Sequence, residues 1–239
     1  MTSVPPDAAT WPSLVQGTLI RRYKRFLVDV KLENGETAVA HCPNSGSMMG
    51  LIKEGNPVYL SRPEKSGRKT AYTLEIIQLP STLVGVNTQL PNRLIKRAIQ
   101  HGRIPELAGY QSLQAEKRYG TNSRIDILLA DDEKPPCFVE VKNCTLVEDG
   151  TALFPDAVTT RGLKHLKELQ AEVGRGNRAV MFYLVQRMDA EVFSPADAID
   201  PVYGRELRNA VKNGVEILAW DVKINPAYVR LRRPLPVRL

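Results

Sequence analysis

Glu116-Lys117-Arg118-Tyr119, Gly120-Thr121-Asn122, Ser123-Arg124-Ile125-Asp126-Ile127-Leu128-Leu129-Ala130, then Asp131 to Pro136, and Cys137-Phe138-Val139-Glu140-Val141-Lys142: this run decides the fold. Tyr110 to Tyr119 and Ser123 to Ala130 read as antiparallel strands, because Gly120, Thr121 and Asn122 supply the freedom and hydrogen bonding of a turn. A hairpin centred on Thr121 sets Glu116 opposite Asp126. The connection Asp131 to Pro136 is polar and ends in two prolines, and a hairpin centred on Glu133 sets Asp126 opposite Glu140. Alternation along Cys137 to Cys144 turns Glu140 and Lys142 to one face and Val139 and Val141 to the other. Ile125, Ile127 and Leu129 alternate likewise with Arg124 and Asp126, so one face reads as core and the other as a site.

Like charges set opposite one another destabilise a sheet, and partial burial of unpaired carboxylates makes this worse. A bound cation removes the conflict. Carboxylate oxygens suit Mg2+ or Mn2+, which keep several waters and bind phosphate oxygens alongside the protein. Lys142 is expected about 6–7 Å along the same face from Glu140, where it can orient or deprotonate a water or stabilise charge on a phosphate. An isolated Glu-x-Lys is more often an ion pair on a solvated strand. Asp126 at the matching register moves the reading towards a site, and Glu116 joins it only if the first hairpin keeps its register.

With 239 residues, 43% hydrophobic and 25% charged, the chain can bury a proper core as one large or two small domains. Cys42, Cys137 and Cys144 have no zinc-like spacing and leave an odd thiol, which fits a reducing, cytoplasmic setting. No secretory signal is apparent, and the longest apolar run, Ala179 to Val185, suits a buried strand and not a membrane span. A formal charge of +7 favours polyanions such as nucleic acid without choosing among them. Oligomeric state is not readable.

Working towards the amino terminus, Leu14 to Ile20, Phe26 to Leu32, Thr37 to Cys42, Pro57 to Arg62 and Thr70 to Leu79 read as five short strands with turn signals between them. Asn34-Gly35 fits a two-residue hairpin turn. Five strands with little helix suggest a small barrel of the oligonucleotide/oligosaccharide-binding (OB) kind over residues 1–82. Arg21, Arg22, Tyr23, Lys24 and Arg25, followed by Phe26, offer phosphate contacts and stacking surfaces to a single strand, or form a solvated hairpin end with Phe26 in the core. Asn44-Ser45-Gly46-Ser47 is a polar turn.

Residues 83–239 read as mixed α/β. Leu94, Ile95, Ala98 and Ile99 mark a helix over Asn92 to Gln100. Thr159 to Ala171 is a second, capped by Thr159 or Thr160, with Leu163, Leu166 and Leu169 inward. Arg161, Lys164, His165 and Glu168 share its other side, either gripping a phosphodiester beside the carboxylates or simply facing water. Arg178 to Gln186 is a buried strand, Tyr203, Leu207, Ala210 and Val211 mark a third helix, and Val215 to Ile224 returns as a parallel strand. Arg230, Arg232, Arg233 and Arg238 lie on an extended tail that either binds polyanions or covers the sheet.

The order of helix, hairpins carrying Asp126 and Glu140-Val141-Lys142, then helix and strand resembles the PD-(D/E)XK nuclease core. More narrowly, the chain is similar over nearly its whole length to the sugar fermentation stimulation protein A family. Arg22-Tyr23-Lys24-Arg25-Phe26, His41-Cys42-Pro43-Asn44-Ser45-Gly46, Tyr119-Gly120 with Ser123-Arg124-Ile125-Asp126, and Glu140-Val141-Lys142 carry the likeness. So do Phe154-Pro155-Asp156-Ala157-Val158-Thr159, Arg161-Gly162, Lys164-His165-Leu166 and Gly214-Val215-Glu216-Ile217-Leu218. The resemblance implies an OB-like barrel joined to a nuclease-like domain, and a DNA-binding protein linked to regulation of sugar (maltose) metabolism. It also implies that Asp126, Glu140 and Lys142 match the metal-and-lysine motif. Two functions follow: a Mg2+- or Mn2+-dependent nuclease with Asp126, Glu140 and Glu116 as metal ligands and Lys142 assisting, or a non-enzymatic DNA-binding regulator on the same scaffold.

Overall fold

The computed structural model describes residues 4–62, 70–119 and 123–239. The expected turn at Gly120-Thr121-Asn122 therefore lies outside the described residues.

Ala9–Thr10 (β1) precedes a barrel built from Leu14–Tyr23 (β2), Leu27–Leu32 (β3), Thr37–His41 (β4), Pro57–Ser61 (β5) and Tyr72–Gln78 (β6), with Leu83–Gly85 (β7) added beside β6. β2 pairs with both β3 and β5, and β4 runs parallel to β6, so the five strands close as an OB-type barrel. Alternating apolar side chains fill it, among them Leu19, Val28, Val30, Leu60 and Leu74. The Asn34-Gly35 turn differs from expectation. Leu32 pairs with Glu36 around three residues, only Gly35 has positive φ, and Asn34 Oδ1 accepts from the Glu36 N–H, giving a bulged three-residue loop.

A seven-stranded sheet follows. Leu90–Gln100 (α1) leads into Ser112–Tyr119 (β8), Ser123–Ala130 (β9) and Cys137–Cys144 (β10), then Leu146–Glu148 (β11), Thr151–Phe154 (β12) and Thr160–Gly174 (α2). Arg178–Val185 (β13), Val192–Pro195 (β14), Pro201–Lys212 (α3), Glu216–Ile224 (β15) and Tyr228–Pro234 (β16) complete the chain. The sheet order is β1-β16-β15-β13-β10-β9-β8; β10, β13 and β15 are parallel neighbours joined through α2 and α3. β11, β12 and β14 form a small sheet of their own. The expected division at residue 82 does not follow these sheets, since β1 joins the second unit and β7 the barrel.

Both faces of the large sheet are buried. One carries α1, whose Leu94, Ile95 and Ala98 pack with Ile127, Val139 and Phe182. The other carries α2 and α3, with Leu166, Leu169, Tyr203 and Leu207 against Met181 and Tyr183. The face read as a site is thus also a core face. Burial of Leu166 and Leu169 at about 1.5–3 kcal/mol each fixes α2 strongly enough to bring a polar neighbour inside with them. Thr159 caps α2 by accepting from the Gly162 N–H, and Asp200, the cap of α3, also accepts from the Thr159 N–H, tying the two helix starts together.

Candidate metal and nucleic-acid site

Strand register delivers the acidic pair as the spacing requires. The paired β8–β9 residues are symmetric about Thr121, from Ser112 with Ala130 to Tyr119 with Ser123. β9 and β10 pair about Glu133, from Cys137 with Leu129 to Val139 with Ile127. The ladder stops there, and the next position, Asp126 opposite Glu140, is bonded differently: Asp126 Oδ2 accepts from the Val141 N–H at 2.8 Å and Oδ1 from Asn92 Nδ2 of α1 at 2.7 Å. Asn92 was not anticipated; helical position alone gives no signal for a partner on a distant strand.

Glu116 departs from expectation. Its register position faces Asp126, but its φ of +52° turns the side chain away, and its carboxylate lies 67% exposed, 3.8 Å from Arg124. A left-handed non-glycine residue breaks the alternation that the spacing assumes. Ile125 moves too: it packs with Tyr119 under α2, whereas Ile127 and Leu129 pack under α1.

Glu140 is the centre of the buried cluster, with only 3% of its side chain exposed. Lys142 Nζ donates to Glu140 Oε1 at 2.6 Å, and His165 Nδ1 contacts the same oxygen. Lys142 Nζ also lies 2.9 Å from His165 Nδ1, and Arg161 Nε is 3.4 Å from His165 Nε2. An imidazole with its hydrogen on Nδ1 serves two of these contacts, accepting from Arg161 at Nε2 and donating to Glu140 from Nδ1, and leaves the Lys142 ammonium beside that N–H as a second donor to the same carboxylate oxygen; the tautomer is assigned from the network. Of the two alternatives for this side of α2, His165 takes the one beside the carboxylates, buried against Glu140, while Arg161 and Lys164 are exposed.

Three buried oxygens in this neighbourhood have no hydrogen-bond partner among the described residues: Glu140 Oε2, Glu168 Oε2 and the Tyr119 hydroxyl. Burial raises Asp126 above the ordinary carboxyl range, and the Glu140 charge raises it further. For Glu140 burial is the largest single influence and pushes upwards, but the Lys142 charge and the His165 and Lys142 hydrogen bonds together outweigh it and hold the group low. Burial and the Glu140, Glu168 and Asp126 charges drive the Tyr119 phenol far up. Acceptor capacity is thus left over on Glu140 and Glu168 although Lys142, His165, Asn92 and the Val141 N–H serve the other carboxylate oxygens of Glu140 and Asp126. Among the described residues no three of His, Cys, Asp and Glu are grouped so as to enclose a metal ion, and the acidic pair that the register brings together is Asp126 and Glu140.

The barrel's basic residues divide. Arg22 donates to the Arg25, Asn44, Gly46 and Ser47 carbonyls, which makes it an internal clamp on the 44–47 turn. That turn grips the second unit: Ser47 Oγ donates to the Asp156 carbonyl at 2.6 Å and the Met48 N–H to Asp156 Oδ2 at 2.9 Å. Arg21 pairs with Asp29 at 2.8 Å and lies over the Tyr23 ring, Arg25 reaches the Ser45 carbonyl, and Lys24 and Arg25 hold positive φ. Phe26 is outside the core, 44% exposed, and stacks on His41 at 6.4 Å. In the tail, Arg232 and Arg233 bind buried Asp221 and the Met188 and Ala190 carbonyls, so these two guanidiniums serve the sheet.

Residues 20–86 match the family described as "SfsA N-terminal OB domain", and residues 89–228 match "Sugar fermentation stimulation protein RE domain". A "Sugar fermentation stimulation protein homolog" of Citrifermentans bemidjiense is 56% identical over 226 residues, covering 95% of this chain and 97% of the relative. That of Geotalea uraniireducens is 54% identical with the same coverage of each. A solved structure of Pyrococcus furiosus SfsA in complex with Ca2+ is 27% identical, with a TM-score of 0.88 over 97% of this chain and 98% of the other. With both of its units matched by family models and relatives more than half identical over 95% of its length, the chain belongs to the sugar fermentation stimulation protein family.

Proposed function

We propose that the protein is a divalent-metal-dependent nuclease acting on DNA, with Asp126 and Glu140 holding Mg2+ or Mn2+. The observation that carries this reading is the buried Glu140 Oε2 beside Asp126, without a hydrogen-bond partner among the described residues, an arrangement that a cation would neutralise. The Ca2+ in the Pyrococcus furiosus relative supports a divalent ion in this family. When bound, such an ion polarises a phosphoryl oxygen and acidifies a bound water. Each Asp126 oxygen has spent one lone pair on a donor and keeps another; Glu140 offers Oε2 whole.

Lys142, as an ammonium, has three donors, and Glu140 takes one of them. The others can hold the attacking water against the phosphodiester or meet charge developing on it. His165 keeps Glu140 oriented, and Arg161, exposed at the outer end of the row, takes a phosphate oxygen, with Lys164 beside it. Hydrolysis forms a bond from water oxygen to phosphorus and releases the ester oxygen with a proton. Arg21, Tyr23, Lys24, Arg25 and Phe26 offer the barrel's contribution to binding; Arg22 contributes by shaping the turn. Labelled single-stranded, duplex and branched DNA and RNA, incubated with Mg2+, Mn2+ or chelator, test the proposal. Metal-dependent cleavage lost in Lys142→Ala supports it. Cleavage surviving both chelator and that substitution refutes it, and salt-sensitive binding without cleavage leaves a non-enzymatic DNA-binding regulator.

A further inference from the structure

The outer face of α2 carries a groove of about 460 Å³ whose lining includes Leu163, Lys164, Lys167, Glu168, Ala171 and Arg175. Their spacing of three and four residues makes one stripe along the helix, and the stripe starts beside Arg161 and His165. Cationic and apolar residues intersperse along it. Lys164, Lys167 and Arg175 are exposed cations, Lys164 pairing with Glu168 at 3.6 Å, while half-buried Leu163 at the start and exposed Ala171 before Arg175 add apolar surface. Arg175 also pairs with Glu172, yet 58% of its side chain is open to solvent.

We propose that this groove is the path of a single nucleic-acid strand leading away from the Asp126–Glu140 site, with Lys167 and Arg175 taking phosphates and Leu163 and Ala171 flooring a base. The proposal rests on the nuclease reading and extends it to the substrate's flank. Arg161 to Arg175 spans 14 steps of about 1.5 Å, roughly 21 Å, enough for several nucleotides. Glu168 joins groove and site. Its Oε1 accepts from Ser123 Oγ at 2.7 Å, while among the described residues buried Oε2 has no hydrogen-bond partner and the nearby Tyr119 hydroxyl has none either. An acceptor there repels phosphate and suits an N–H or O–H donor of a base or sugar, which sets phosphates on the basic flanks. A duplex presents its phosphates outermost and leaves an apolar floor unused, whereas a strand with unstacked bases uses both.

The test measures binding of fluorescent oligothymidylates of about 4 and about 12 nucleotides, and of a matched duplex, to the full chain in chelator across a salt series. The longer single strand is expected to bind more tightly than the short one and than the duplex. Lys167→Ala with Arg175→Ala is expected to remove that length advantage and to flatten the salt slope by about 1.4, two contacts at about 0.7 each. Lys167→Glu alone, which leaves the Arg175–Glu172 pair intact, is expected to weaken the long strand at least tenfold with no change in melting temperature. Lys53→Ala with Lys223→Ala removes equal charge elsewhere and serves as the control. An unchanged slope, an equal effect of the control pair, or a duplex bound as well as the single strand overturns the groove assignment. Because binding is read in chelator, a groove that responds as stated beside a protein that never cleaves refutes the nuclease reading alone.

Discussion

Replacing Lys142 with Met isolates the electrostatics of the buried cluster. Lys142 exposes 13% of its side chain and Glu140 3%, so the pair is desolvated. Removing one member of a buried pair costs about 3–5 kcal/mol because the other charge is left uncompensated. The surviving His165 contact with Glu140 places the expectation near the lower end, about 3 kcal/mol. In a chain of this size about 1 kcal/mol moves the melting temperature by about 2–4 °C, so a fall of about 6–12 °C is expected in chelator. Adding Mn2+ should restore Lys142→Met by more than it raises the native protein, since the ion then replaces the missing charge; at about 100 times Kd the gain is about 2.7 kcal/mol. The double substitution Glu140→Gln with Lys142→Met removes both charges and should melt above Lys142→Met alone. Differential scanning fluorimetry with and without metal reads all of these. A loss under about 2 °C, equal metal shifts in both proteins, or an additive double variant refutes the reasoning.

Metal uptake should weaken as pH falls, beginning above the ordinary Asp range, because a proton competes for raised Asp126; calorimetric Mn2+ titrations across pH check it. In metal-free protein the two carboxyls act oppositely. Raised Asp126 gives stability that is full below the unfolded Asp value and lost as pH rises through its folded value, whereas lowered Glu140 gives stability present above the unfolded Glu value and lost as pH falls through its folded one. Gly46→Ala should destabilise by about 1–3 kcal/mol, since the new Cβ would stand 2.8 Å from both Asp156 carboxylate oxygens; thermal melts measure it. Phe26→Ala should leave stability within about 0.5 kcal/mol, the side chain being exposed, while weakening single-strand binding by about 1–3 kcal/mol if a base stacks there, read by fluorescence anisotropy.

Both hairpin centres were legible because period-two alternation tied to turn chemistry leaves little freedom in register; Asp126 and Glu140 meet for that reason. The family was legible too, since its motifs recur in one order along the chain. What escaped depends on partners far away in sequence. Glu116 leaves the row through a backbone conformation that its residue type does not advertise. His165 goes inside because Leu166 and Leu169 orient α2 and Glu140 receives it, and Arg22 turns inward because four carbonyls of neighbouring turns converge on it. A basic side chain looks the same in sequence whether it serves a phosphate or a carbonyl.

The short strand Ala9–Thr10 lies against β16, and Pro6 and Asp7 bind Arg97 and Arg103 around α1. The polypeptide therefore visits the large sheet, leaves to build the barrel, and comes back at α1, so the barrel is topologically an insert. Cutting the chain after residue 82 would strip β16 of β1, leave it paired only with β15, and bare a strand edge prone to sticking to other chains. Excising residues 14–85 and bridging the gap with a short linker keeps that edge covered, and is the sounder way to obtain the second unit alone.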